Sequence, residues 1–414
     1  MTDIKLSICI PTYNRSAYLR TALDTLAAAD LGFGYEIVIS DNASTDDTAD
    51  VVRDYIGRGL PIRYLPCPVN AGPASNFLNA LRQARGAYVV YQGDDDLLIG
   101  SGVRDAVAYL DANPDVVAVQ APWYLYDEVE DRDLQTFYTL DQDVKFAAQD
   151  YVGVFEFMFN AHVFPEIGIY RTDVMKAAWV PRHFCFWAFA YLAHFLDQGA
   201  VAFLKQPFYR SVTVSKIDSR RDQLGVQDVM TSWDMYRGGL EYFLHFAERR
   251  GKLVVNDQAR AIYDRMCTVF VVIRMSVAIR LWVAQKDFVR AYELYTRMAI
   301  AGYADYPGVG ELRDHLPVMV GLQTMAQQIN AVPDIAYLML SDMSDPAYVE
   351  TLLRDVGLRQ EVAILWDADA HDPGLVERTA LLVTNDARER EFLTRGYNPH
   401  FIFREAELTR YVLV

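Results

Sequence analysis

Three carboxylates in a row, Asp94-Asp95-Asp96, are the residues whose type and spacing most directly suggest chemistry. They follow the apolar run Val89-Val90-Tyr91 and the glycine Gly93, so they stand where a buried strand emerges. Like charges this close repel and raise one another's pKa. A divalent cation with hard oxygen ligands relieves the repulsion, and a cation held there can in turn hold phosphates. An isolated Asp triplet is more readily a solvated turn, since Asp is common in turns. The context favours a ligand site: Pro11-Thr12-Tyr13-Asn14-Arg15 ends one upstream apolar run, and Ser40-Asp41-Asn42-Ala43-Ser44-Thr45-Asp46 ends another. Strands with polar C-terminal ends, separated by helices, describe a crevice along the carboxyl edge of a parallel sheet.

The elements that position these residues are legible from periodicity. Leu6-Ser7-Ile8-Cys9-Ile10 reads as a central strand, and Leu19, Ala22, Leu23 and Leu26 recur at helical spacing behind a cap at Asn14 or Ser16. Strands are predicted over 35–40, 62–65 and 86–91, and helices over 46–55 and 73–84. The result is a β-α-β-α-β-α-β series whose right-handed crossovers make the sheet parallel. Beyond it come a helix over 102–113, a strand over 116–119, a loop over 127–150, a helix over 150–159 and a strand over 167–171 with a helix capped at Thr172 or Asp173. An aromatic helix over 184–196, ended by Gly199, leads to a last strand over 200–204.

From about residue 220 the pattern changes to long helices, with apolar residues three and four apart over 230–249, 257–284 and 288–301. Past Val332-Pro333-Asp334, strands over 335–340, 361–366, 381–384 and 400–403 with helices over 347–356 and 387–395 describe a small α/β unit. It carries no Gly-rich phosphate loop, so no cofactor is assigned to it. The expected domains are therefore 1–215, 216–332 and 333–414.

Composition narrows the partners. Against 39 Lys+Arg stand 55 Asp+Glu, a net charge of −16, which argues against nucleic acid held on a general basic surface. The four cysteines, Cys9, Cys67, Cys185 and Cys267, form no CxxC pair, which suits a reducing compartment. Met1-Thr2-Asp3-Ile4-Lys5 runs straight into a strand without room for a signal peptide, so a cytoplasmic protein is expected. The apolar segment 266–282 carries Arg274 and Arg280 and is short for a membrane span. It reads as a buried amphipathic helix, the alternative being a face for peripheral contact with the inner side of the cell membrane or for a homodimer.

Together, Ile10-Pro11-Thr12-Tyr13-Asn14-Arg15, Ser40-Asp41-Asn42-Ala43-Ser44-Thr45-Asp46, Asn70-Ala71-Gly72 with Asn76, and Gly93-Asp94-Asp95-Asp96 resemble glycosyltransferase family 2. These are GT-A-fold enzymes that use nucleotide-diphospho-sugars, and the resemblance covers about the first half of the chain. It implies a Rossmann-like, mostly parallel α/β sheet, with the helical region and the small α/β domain following it. It further implies transfer from a UDP-sugar to a glycan or lipid-linked acceptor, inverting, in bacterial surface polysaccharide synthesis. Pro11, Tyr13 and Arg15 would line the nucleotide pocket together with Asn70, Gly72 and Asn76. Asp41 would accept from the base, Asp94 would reach the ribose, Asp95 would bind Mg²⁺ or Mn²⁺, and Asp96 would support the metal or the sugar.

One family feature is missing. The usual Glu-Asp pair at a helix start, some twelve residues before a glycine, falls at Trp187 and Ala188 when counted back from Gly199. An inverting transfer still needs a group to take the acceptor proton. Glu166 and His183 are the candidates, with Asp173 more suited to capping a helix. Of the aromatics over 184–195, Trp187 is the one expected to reach an acceptor, the rest being core. Arg210, Lys216, Arg220 and Arg221 are either a lid over the diphosphate or a solvated linker. Two rivals stand beside this reading: a nucleotidyltransferase, whose Gly-rich loop is absent after the first strand, and a degenerate scaffold, against which the intact Asp triplet argues.

Overall fold

The computed structural model of the chain describes residues 4–178, 185–218, 230–366 and 373–414. Cα packing separates two units, Met1–Gln223 with Asp234–Phe270, and Leu224–Trp233 with Val271–Val414. That division cuts through the helix Asp257–Ala284.

The first unit is built on an eight-stranded sheet. Its strands are β1 (Leu6–Thr12), β2 (Tyr35–Asp41), β3 (Ile62–Pro66), β4 (Tyr88–Tyr91), β6 (Val116–Gln120), β9 (Val144–Phe146), β10 (Gly168–Arg171) and β11 (Ala200–Phe203), in the order β3-β2-β1-β4-β10-β6-β11-β9. Strands β1, β2 and β4 read as unbroken apolar runs because helices cover both faces of the sheet. Those helices include α1 (Ser16–Ala28), α2 (Thr48–Gly57), α3 (Pro73–Arg82), α4 (Gly100–Ala112), α5 (Tyr151–Ala161), α6 (Thr172–Ala177) and α7 (Trp187–Gln198).

The sheet is mixed, not wholly parallel. β10 runs antiparallel to both β4 and β6, and β9 antiparallel to β11. The reversal carries a functional consequence: residues just before β10 lie at the same edge as the C-terminal ends of β1, β2, β4 and β6.

The segment 127–150, expected as a loop, holds strands. β7 (Tyr124–Asp127) and β8 (Arg132–Thr136) join β5 (Leu97–Leu98) and β12 (Tyr209–Val214) in a second sheet ordered β5-β12-β7-β8, while β9 adds to the edge of the first. The cue was weak because β8 is almost wholly exposed and polar, which erases the period-two pattern.

Gly199 does end α7, but in extended backbone (φ −179°, ψ −173°), so no left-handed turn calls for glycine there. Space does: a Cβ would stand 2.3 Å from Val117 Cγ1 and 2.9 Å from the Asp115 carbonyl oxygen. Gly72, by contrast, is needed for its backbone (φ +85°) at the turn into α3.

In the second unit four parallel strands, Tyr337–Ser341, Ala363–Trp366, Thr379–Val383 and Ile402–Arg404, carry a core of Met339, Leu381, Val383, Phe392, Tyr397 and Ile402. Helices Phe288–Ile300 and Leu316–Asn330 precede the sheet. The helix Asp257–Ala284 spans 28 residues, the bounds its periodicity predicted, and is long and apolar enough to cross a membrane by length and composition.

Candidate active site

The carboxyl edge of the first sheet gathers the predicted residues. Thr12, the last residue of β1, donates from Oγ1 to Asp94 Oδ2 at 2.8 Å. Arg15, at the mouth of α1, places Nη1 3.1 Å from Asp94 Oδ1 and 3.0 Å from Asp95 Oδ2. One guanidinium therefore bridges two of the three carboxylates. Asp94 is 5% exposed, and its pKa is pushed up to about 7 by burial first and the Asp95 charge second, against the opposing pull of Arg15 and Thr12.

Asp96 goes elsewhere. Its Oδ2 accepts from Tyr209 OH at 2.9 Å and its Oδ1 from Val212 N at 2.9 Å, so it ties the acidic turn to β12. The expected metal pair was Asp95 and Asp96. The pair that converges on one cationic group is Asp94 and Asp95.

The loops after β1 and β2 are stitched together. Asn14, at φ +51°, accepts through Oδ1 from Thr45 N at 2.7 Å, and its own N–H donates to Ser44 Oγ at 2.9 Å. Neither Asn14 nor Ser16 caps α1 with its side chain. The Ser16 N–H instead donates to Asp46 Oδ2 at 3.0 Å, so an acid from the second loop caps the first helix.

Asp41, 3% exposed at the end of β2, accepts from Ser44 N at 2.8 Å through Oδ1 and from the Tyr64 hydroxyl through Oδ2. Burial, and then Asp41, push the Tyr64 pKa upward, so that hydroxyl stays a donor. Asn42 joins Asn70, donating from Nδ2 to Asn70 Oδ1 at 2.7 Å, and Asn70 Oδ1 also accepts from Gly72 N at 2.9 Å. Asn76 is buried: it accepts from Ser40 Oγ at 2.6 Å and donates to the Thr12 carbonyl at 3.1 Å. It clamps β1 to β2 from within. Pro11 is half-buried, and Tyr13 stands 43% exposed at the same edge.

Of the proton-acceptor candidates, Glu166 precedes β10 and so lies at this edge, half-buried. The Tyr91 hydroxyl, its pKa raised by burial and then by Asp96, Asp95, Asp94 and Glu166 in turn, senses all four charges. Asp173 follows β10 and falls at the opposite edge, where the neighbouring Thr172 N donates to the Ala87 carbonyl at 3.0 Å. His183, with Arg220 and Arg221, lies outside the described residues. Arg210 makes a bidentate pair with Asp133, 2.7 and 2.8 Å, inside the second sheet. The Lys216 backbone N–H donates to Glu128 Oε2 at 2.8 Å.

Trp187 and Ala188 open α7, as the count from Gly199 implied. Trp187 is half-exposed with its ring 5.4 Å from Phe77, which meets Tyr91 edge-on at 5.0 Å, whereas Phe186, Phe189, Tyr191 and Phe195 are buried. Residues that sequence reasoning missed are Thr12, Tyr64 and Tyr209. Tyr209 belongs to a strand with no sequence cue of its own.

Among the described residues no three His, Cys, Asp or Glu side chains form a metal cluster. The donor chemistry still suits a hard cation: two carboxylate oxygens already converge on the positive charge of Arg15. Mg²⁺ characteristically takes one or two carboxylates and completes its shell from phosphate and water.

An acidic group at the carboxyl edge of a Rossmann-like mixed α/β sheet stands where proteins of this architecture bind their ligands. The profile of Glycosyl transferase family 2 matches residues 7–171, and this segment is a family 2 glycosyltransferase domain. The chain is 38% identical over 113 residues to the abequosyltransferase RfbV of Salmonella typhimurium, covering 27% of this chain and 34% of that protein. It is 36% identical over 100 residues to the GalNAc(5)-diNAcBac-PP-undecaprenol beta-1,3-glucosyltransferase of Campylobacter jejuni, covering 24% and 32%. The chain thus spans about a third of the length of these curated relatives. A solved structure of Staphylococcus aureus TarS 1-349 in complex with UDP-GlcNAc aligns at 18% identity over 76% of this chain and 86% of that one, with a TM-score of 0.47.

Proposed function

We propose that the protein is a metal-dependent glycosyltransferase that moves a sugar from a UDP-sugar to a glycan or lipid-linked acceptor in bacterial surface polysaccharide synthesis. The observation that carries this reading is the bridge from Arg15 to Asp94 and Asp95 at the strand edge beside Asp41. The matched family and the names of the relatives support it.

In this reading Asp41, braced by Tyr64 and Ser44, receives the uracil, and Tyr13 and Arg15 flank the nucleotide. Asp95, with Asp94 beside it, would hold Mg²⁺ or Mn²⁺, a Lewis acid that offsets charge developing on the departing diphosphate. Arg15, released from the carboxylates, would offer its charge to the diphosphate. Trp187 offers its exposed face to the acceptor sugar. Glu166 takes the proton of the acceptor hydroxyl as that oxygen attacks the anomeric carbon from the side opposite the leaving group, which inverts the centre. The four cysteines are free thiols, in keeping with work in a reducing cytoplasm.

Calorimetry with UDP and Mn²⁺ tests the assignment. Binding that weakens about 100-fold or more in Asp95→Ala is expected. Binding indifferent to that substitution, or no binding by the intact protein, removes the reading.

A further inference from the structure

The backbone around Arg15 is fixed on both sides. Before it, Asn14 is bonded to Thr45 and Ser44 of the neighbouring loop, and after it the Ser16 N–H donates to Asp46 Oδ2 at 3.0 Å. The Arg15 carbonyl accepts from Leu19 N at 3.0 Å, the first bond of α1, and Leu19 is buried in the core. What remains to be placed is the side chain, and ordering one so rich in rotamers costs entropy.

Tyr18, in the first turn of α1, supplies a surface for it. The Arg15 guanidinium carbon lies over the Tyr18 ring, 5.0 Å from its centre, while Nη1 stands 3.1 Å from Asp94 Oδ1 and 3.0 Å from Asp95 Oδ2. Residues three apart are neighbours on a helix surface, and a cation within about 6 Å of an aromatic face is drawn to it. The planar, weakly hydrated guanidinium suits this stacking better than an ammonium does. The Arg15 side chain is 28% exposed and those of Asp94 and Asp95 7% and 13%, so the contact is partly shielded from water and salt. Tyr18 sits beside the anchored Leu19, on a helix start pinned by Asp46, and so makes a stiff platform behind the charge.

We propose that Tyr18 is a positioning residue that backs Arg15 onto the Asp94 and Asp95 pair, so that a divalent cation arriving alone competes with a held guanidinium. The inference rests on the reading of that pair as the cation site and goes beyond it by naming what sets the strength of the internal competitor. The ring face carries this role, not the hydroxyl.

The Mn²⁺ affinity of the protein without nucleotide, read from the electron paramagnetic resonance signal of free Mn²⁺ in a titration, tests it. Tyr18→Leu keeps apolar bulk and removes the π face, and Mn²⁺ is expected to bind about 2- to 5-fold more tightly than to the intact protein. Tyr18→Phe keeps the face and should match the intact protein. In an Arg15→Ala background, Tyr18→Leu should change nothing further. A gain in affinity that phenylalanine abolishes is not what damage to the fold produces. Equal Mn²⁺ affinity in Tyr18→Leu and the intact protein, absence of binding by both included, overturns the positioning role. So does a Tyr18→Phe protein that behaves like Tyr18→Leu, or an effect that persists without Arg15. UDP binding in the presence of Mn²⁺ is measured on the same samples. Its absence from the intact protein removes the nucleotide reading, and the Mn²⁺ titrations then decide the role of Tyr18 by themselves.

Discussion

The Tyr209 hydroxyl donates to Asp96 Oδ2 at 2.9 Å while it accepts the Gly93 N–H at 2.9 Å. One buried phenol thus fixes both the start and the end of the acidic turn, and burial followed by Asp96 pushes its pKa well up, so it remains a donor. Tyr209→Phe leaves a carboxylate oxygen and an amide without this partner. A loss of about 1–3 kcal/mol in urea unfolding is expected, with UDP affinity falling less than in Asp95→Ala.

The bridge at Arg15 makes a prediction of opposite signs. Removing it in Arg15→Ala leaves Asp94 and Asp95 without their shared cation, so Mn²⁺ alone should bind more tightly. UDP with Mn²⁺ should bind about 10-fold more weakly, because the charge that Arg15 turns to the diphosphate is lost. Both are read by calorimetry, with and without nucleotide.

Asp94 sets a pH dependence. Its folded pKa of about 7 lies above the ordinary value of 3.8, so the folded protein binds that proton more tightly than the unfolded chain does. The stability this contributes is present below pH 3.8 and is lost as pH rises through about 7. A cation must displace the same proton, so Mn²⁺-dependent UDP binding should strengthen as pH rises toward 7, by up to about 10-fold per unit. Calorimetry in buffers of differing ionisation enthalpy should register proton release, and a flat profile from pH 5.5 to 7.5 would remove Asp94 from the cation site.

At the opposite edge of the sheet, buried Glu36 accepts from Ser7 Oγ at 2.6 Å and Arg85 N at 2.7 Å and pairs with Arg63 at 3.2 Å. Arg63→Met removes the counter-charge of a buried carboxylate. A stability loss of about 2–4 kcal/mol with unchanged UDP affinity is expected from paired urea and calorimetric measurements.

Gly199→Ala should be destabilising for lack of space alone. A Cβ there meets Val117 Cγ1, so a cost of about 1–3 kcal/mol is expected, part of it recovered by adding Val117→Ala. If the second substitution recovers nothing, close approach is not why glycine stands there.

The sequence by itself determined the order of the elements in the first ninety-odd residues and the clustering of polar motifs at strand ends. Continuous apolar runs, helical spacing and the acidic triplet are local signals, and a parallel sheet with helices on both faces necessarily collects strand ends at one edge. Tertiary structure alone decided how the triplet divides, with Asp94 and Asp95 on Arg15 and Asp96 on Tyr209, because those partners lie 79 to 113 residues away. It also separated Glu166 from Asp173. Seven residues apart in sequence, they fall at opposite edges of the sheet because β10 runs against its neighbours. Strand direction is set by which strands pair, and no local pattern within β10 records it.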